Sequence, residues 1–152
     1  MTGLSFRFRL ERVRALHERK EELAKQELAR ALSRRSDSEL QLRTVDEHIE
    51  QTHAEHRSAL ADSVTVSAAD LLALQAFLER VQIERGASAR ELERHEAEVA
   101  ERDAQLDRAA QERKALERLK DRHREEHDRE VKRSESSTLD EIALDQFRRS
   151  AA

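Results

Sequence analysis

From residue 71 onward one pattern governs the chain. Leu71, Leu74, Leu78, Val81, Arg85, Ser88, Leu92, His95, Val99, Arg102, Leu106, Ala109, Arg113 and Leu116 recur at alternating steps of three and four. Positions repeating every 3.5 residues or so form the a/d seam of a left-handed coiled coil, and a helix can bury such a seam only against another helix. Arg85, Ser88, His95, Arg102 and Arg113 dilute the seam, which is apolar at nine of its fourteen positions. Polar residues at such positions act through their aliphatic stems and through control of register.

The first part of the chain repeats the pattern less evenly. Phe6, Leu10, Val13 and Leu16 share one face, and Leu23, Leu28 and Ala31 follow with a drift of one residue. Ser38, Leu42, Val45, Ile49, Thr52, His56 and Ala59 then resume the alternation. Drift of this kind changes the local supercoil. Between the two seams lies ADSVTVSAAD, residues 61–70, where the poor helix formers Val64, Thr65 and Val66 sit among Asp62, Ser63 and Ser67. Ser67 and Asp70 have the spacing of a capping box. A second cluster, Ser134, Ser136 and Ser137, precedes Thr138-x-x-Glu141, a further capping-box pattern. Gly86 costs a helix about 1 kcal/mol relative to Ala, which softens it without ending it.

The expected fold is all-α, a long two-helix antiparallel coiled-coil hairpin forming one elongated domain over residues 1–152. Helix 1 is expected over about 6–60, a loop over about 61–67, and helix 2 over about 68–133. A short helix or continuation follows over about 138–147, with fraying beyond. Composition agrees. The chain has no Trp, Tyr, Cys or Pro, only four Phe, and 41% charged residues. A compact core draws much of its buried area from aromatic rings, which are nearly absent here. Disordered chains are usually rich in Pro and Gly, whereas this one has no Pro and two Gly. A fold-back is favoured over dimerisation because residues 61–67 divide the two seams near the midpoint, and a monomer in isolation is expected.

Charge and motifs exclude several functions. No apolar N-terminal run points to a signal peptide, and no stretch of about 18 apolar residues points to a membrane span. The absence of Cys excludes disulfide and thiol chemistry and fits a reducing compartment. HREEH, residues 123–127, places His123 and His127 on one helix face and matches a zinc-peptidase pattern. A zinc hydrolase also needs a third ligand and a dry cleft, which a thin hairpin does not offer. His48, His53 and His56 read as solvated histidines on an acidic helix. No Gly-rich phosphate loop or nucleophile turn exists, so an enzyme is not expected, and no cofactor or metal is expected. Residues 111–130 carry seven Lys/Arg and seven Asp/Glu. That balance argues for a solvated helix face and against nucleic acid, whose phosphates need a cationic surplus.

The net charge of −4 is unevenly spread. Residues 1–35 hold ten Lys/Arg against five Asp/Glu, and residues 110–133 hold nine against seven. Residues 36–62 hold two against seven, and residues 63–109 hold six against ten. Folded as a hairpin, the chain is expected to be positive at the end bearing its termini and negative at the loop.

Three stretches resemble the flagellar FliJ family. FRFRLERVRALHERKEELAKQELA, residues 6–29, is similar to its opening helix, which runs F-x-L-x-x-V-L-x-x-R-x-x-x-E-x-x-A. LLALQAFLERV, residues 71–81, is similar to the opening of its second helix. QERKALERLKDRHREEHDREVKRSESSTLDEIAL, residues 111–144, resembles its C-terminal signature, and Leu139–Ala143 is the most specific part. The chain departs in its scarcity of aromatics, Phe77 being the only one between residues 9 and 146. The resemblance implies a non-enzymatic, cytoplasmic component of the flagellar type III export apparatus, peripheral at the inner face of the cytoplasmic membrane. It implies a coiled-coil stalk in the pore of the hexameric export ATPase, touching the membrane export gate and export chaperones. Arg7, Arg9, Arg12, Arg14, Arg19, Arg118 and Arg122 would then face pore carboxylates. Leu74, Phe77, Leu78 and Val81 would meet the gate. A generic coiled-coil scaffold or tether, or the equivalent stalk of a virulence secretion system, is the alternative.

Overall fold

A computed structural model describes residues 5–61 and 67–150. They form two helices, α1 over Glu11–Ala61 and α2 over Ala68–Ser150, of 51 and 83 residues. The two helices pack against one another, and the fold is an all-α, antiparallel two-helix coiled-coil hairpin. The chain groups into two compact units: Met1–Glu22 with Arg108–Ala152, here unit 1, and Leu23–Asp107, here unit 2. Within unit 1, Glu11 meets Lys120 and Glu21 meets Arg113. Within unit 2, Arg34 meets Glu98 and Asp46 meets Arg85. In each unit, position rises along α1 as it falls along α2, so the helices are antiparallel.

α1 starts at Glu11 rather than at residue 6. Phe6 and Phe8 lie before it and pack on His127 and His123, with ring centroids 5.7 Å and 5.9 Å apart. The reason is geometric. Two residues of extended chain advance about 6.6 Å, close to the roughly 6 Å between residues one helical turn apart. Extended spacing points residues two apart to the same side, where a helix would point them apart. Both rings therefore reach successive turns of α2, and Phe8 is buried. The helix then opens through an Arg14 N–H bond to the Leu10 carbonyl, with Glu11 in the first turn where the helix dipole favours an anion.

Of the expected loop, residues 62–66 lie outside the described residues. At the start of α2 the capping box is formed. The Asp70 N–H donates to Ser67 Oγ at 3.1 Å, and the Ser67 N–H donates back to Asp70 Oδ2 at 3.1 Å. The Ser67 hydroxyl also donates to Asp70 Oδ2 at 2.7 Å, and that bond first and the backbone N–H bond second hold the Asp70 carboxyl below its ordinary pKa. The serine cluster at 134–137 does not interrupt α2. Thr138 does not cap a new helix. Its hydroxyl donates to the Ser134 carbonyl at 2.9 Å, one turn back, so the polar group is satisfied inside the helix. With no Pro or Gly to stop it, α2 continues to Ser150, where Arg148 and Arg149 sit in the last turn.

The packed face of α1 has a single register. Among its buried and half-buried positions, Arg14, His17 and Glu21 in unit 1 and Ala24, Leu28, Ala31, Arg35, Ser38, Leu42, Val45, Ile49, Thr52 and His56 in unit 2 follow steps of three and four, with Glu11, Ala15, Glu27, Arg34, Glu39, Asp46 and His53 flanking them. The expected early face of Leu10, Val13, Leu16 and Leu23, with its drift, is not the packed one. Leu16 is 52% exposed and Leu23 60%. A helix without a stutter keeps its register along its whole length. Ala31, which is fully buried, and Val45 fix that register by close packing in unit 2. In unit 1, Arg14, His17 and Glu21 are turned inward and the early leucines lie outside. On α2 the expected seam is packed except at Leu71 and Arg85, which are exposed.

Candidate functional site

Unit 1 is held by ions as well as by apolar contact. Arg14 donates to Glu11 Oε1 from Nε at 2.9 Å and from Nη2 at 2.7 Å, while Lys120 Nζ reaches Glu11 Oε2 at 2.9 Å. These bonds, Arg14's first and Lys120's second, lower the Glu11 pKa from 4.5 to about 2. The same carboxylate raises the pKa of Arg14. About two turns further on, Arg113 bridges the buried Glu21 and Glu117, which raises its pKa, the Glu21 bond contributing most. His17 Nδ1 lies 3.0 Å from Glu112 Oε2 but makes no hydrogen bond there.

Beside this ionic seam lies a cleft of about 1120 Å³, lined by Phe6, Arg7, Phe8, Arg9, Glu11, Arg12, Lys120 and Arg124. Five of the eight are cations. Glu11 is the lone carboxylate, and it is already engaged by Arg14 and Lys120. The cleft therefore presents positive charge over an aromatic floor, a setting suited to an acidic protein surface. Across the unit, Lys/Arg outnumber Asp/Glu by 18 to 15, whereas in unit 2 they are outnumbered by 18 to 11.

Of the arginines named from the sequence, Arg7, Arg9, Arg12, Arg19, Arg118 and Arg122 are exposed, and the first three line the cleft. Arg14 differs: it is turned into the helix pair and occupied by Glu11 and Glu18. Lys120 and Arg124 join the cleft although the sequence did not single them out. Their signal was their offset from His123, the partner of Phe8; without the pairing of the helices that offset has no meaning. The HREEH histidines are the resting places of the two Phe rings, and among the described residues no group of three or more His, Cys, Asp or Glu could hold a metal.

In unit 2, Phe77 is half buried. Its ring meets His48 edge-on, with centroids 5.6 Å apart, and the Arg80 guanidinium lies 5.5 Å from its centroid. Leu74 and Leu78 are also half buried, and Val81 is 4% exposed, so its side chain belongs to the helix interface. Further along, Arg34 donates to both carboxylate oxygens of Glu98, from Nε at 3.3 Å and from Nη2 at 2.5 Å. That fork lowers the Glu98 pKa, and His95 adds a smaller effect in the same direction. Arg85 pairs with Asp46, which raises the arginine's pKa.

A two-helix antiparallel coiled coil, with a cationic cleft in unit 1, defines a helical-hairpin class of protein. The family model described as Flagellar FliJ protein matches residues 6–152. The chain belongs to that family, which is a structural part of flagellar, type III export. No match was found among curated proteins or among solved structures. No helix among the described residues is long and apolar enough to cross a membrane.

Proposed function

We propose that the chain is a non-enzymatic coiled-coil stalk that enters the hexameric export ATPase with unit 1 and links it to the export gate and to export chaperones. Family membership supplies the apparatus, and the cleft of Arg7, Arg9 and Arg12 is the observation that carries the choice of unit. Arg19, Arg118 and Arg122 extend the cationic surface, whereas Arg14 supports the fold beneath it. The gate-facing residues are Leu74, Phe77 and Leu78, with Val81 as their buried support. The chain works in the cytoplasm, peripheral to the inner face of the membrane, and is a monomer in dilute solution.

Co-purification with the export ATPase encoded by the same organism tests the reading. Retention of the ATPase by the parent chain, and weaker retention when Arg9 and Arg12 are both changed to Glu, is the expected result. An ATPase that fails to bind the parent at low ionic strength excludes the stalk role.

A further inference from the structure

Nineteen residues at the end of α2, from Lys132 to Ser150, are all exposed. Among the described residues before α1, Phe6 packs on His127. This segment is not uniformly polar. Leu139 is 66% exposed and Phe147 71%, and Ile142 and Leu144 are exposed as well. Leu139, Ile142 and Phe147 are spaced to share one broad helix face. Large apolar side chains gathered on one solvent-facing stretch mark an interaction surface. Residues 134–147 also hold Glu135, Asp140, Glu141 and Asp145 and not one Lys or Arg. None of these four acids makes a salt bridge among the described residues.

The complement of this segment lies on the same unit. The start of α1 exposes Leu10, Val13 and Leu16 beside Arg9, Arg12 and Arg19, and it adjoins the cleft that adds Arg7 and Arg124. Arg9, Arg12 and Arg19 form no salt bridge among the described residues. One surface is apolar and acidic, the other apolar and basic. They match in length too: at about 1.5 Å per residue, Leu139 to Phe147 spans roughly 12 Å and Leu10 to Leu16 roughly 9 Å. The tail cannot reach its own α1, because it continues an unbroken helix away from it.

We propose that the acidic end of α2, residues 134–147, docks on the basic apolar start of α1 in a second copy of this chain. A two-fold axis across the end of unit 1 sets each tail alongside the other copy's α1, running parallel to it. The same contact is then made twice, which is the usual closed arrangement of homodimers. Apolar side chains supply the affinity, and the charges set the partner and the salt dependence. The contact covers Arg9 and Arg12. If those residues also serve the ATPase, a self-associated chain is one withheld from the ring; that clause alone rests on the function proposed above.

Sedimentation of the purified full chain, without ATPase, is the test. From low to high micromolar concentration at low ionic strength, the mass should rise from 17.6 kDa towards about twice that value. Added salt should reverse the rise. Leu139→Asp with Ile142→Asp should weaken association on the order of tenfold or more without changing helicity, since both residues are exposed. Arg12→Glu with Arg124→Glu should weaken it similarly, as should Asp140→Lys with Glu141→Lys. Mixing the two charge-reversed chains should restore association between them. A parent chain that stays monomeric at every concentration overturns the proposal. So does a dimer indifferent to the tail substitutions, or a mixture of the reversed chains that associates no better than either alone. None of these outcomes bears on whether the ATPase binds.

Discussion

Glu11 shows how much one side chain carries in a hairpin with so thin a core. Its carboxylate takes hydrogen bonds from Arg14 on its own helix and from Lys120 on the other, which hold its pKa at about 2 against 4.5. A carboxyl depressed by folding stabilises the fold above its unfolded pKa, and that contribution disappears as pH falls from about 4.5 to about 2. Glu98 and Asp70 are shifted in the same direction, so the helical signal of the parent should drop through this acid window. Glu11→Gln should lower the melting temperature at neutral pH and make it less sensitive to acid over that window. A variant whose melt follows the parent's at every pH would mean that the pair is solvated away. The apolar residues divide just as sharply. Val81 is buried between the helices, and Val81→Ala removes two carbons from that contact, a loss of about 2 kcal/mol read by thermal melting. Phe77 is half exposed, with His48 and Arg80 against its ring. Phe77→Ala should leave helicity in place and weaken binding to the export gate, and a collapse of the melt instead would assign it to the fold. The sequence placed Val81 and Phe77 in the same candidate surface. Only the pairing of the helices separates the one that packs from the one that presents itself.

At the scale of the helices, α2 was the easier element to read. Its seam alternates three and four from Leu74 to Leu116 with apolar residues frequent enough to mark the face. Gly86 interrupts it only in composition. An added Cβ there meets nothing nearer than the Arg90 guanidinium at 3.7 Å, an ordinary contact. Gly86→Ala should therefore stabilise the chain by about 1 kcal/mol, with a higher melting temperature as the readout. A lower melting temperature would mean that unit 2 needs a soft point in α2. The start of α1 was misread for a physical reason. In unit 1 the packed face of α1 carries Arg14, His17 and Glu21, beside Glu112, Arg113 and Glu117 of α2, while Leu10, Val13 and Leu16 lie outside. A rule that sends apolar residues inward selects the wrong face wherever a seam is built from ion pairs. Of the two readings for residues 138–147, a short helix or a continuation, the chain takes the continuation. Ser and Thr cost a helix only about half a kcal/mol each relative to Ala, and Thr138 recovers part of that by bonding back to Ser134. Phe6 fits a helical face with Leu10, Val13 and Leu16 by spacing alone, but it lies before α1, and its ring instead packs on His127.

For the whole chain, the decisive property is the division of charge between its two units. Unit 1 has a net charge of +3 and unit 2 of −7, from 18 Lys/Arg against 15 Asp/Glu and from 11 against 18. The difference was legible in the sequence as alternating basic and acidic blocks. The cleft was not, since it joins Arg7, Arg9 and Arg12 to Lys120 and Arg124 from far along the chain. Exposed charges at a rim chiefly set the rate of encounter and its dependence on salt, more than the final affinity. Screening over about 10 Å at 0.1 M salt weakens that steering. If unit 1 enters the export ATPase, Arg12→Glu with Arg19→Glu should slow association and flatten its salt dependence, with helicity unchanged because both side chains are exposed. Stopped-flow or surface-binding rates across an ionic-strength series give the slope directly. Glu47→Lys with Glu50→Lys, in acidic unit 2, is the matched control and should alter the rate less. A double arginine variant that binds as fast as the parent at low ionic strength would remove unit 1 from the encounter. A larger effect from the unit 2 substitutions would place the ATPase contact there instead.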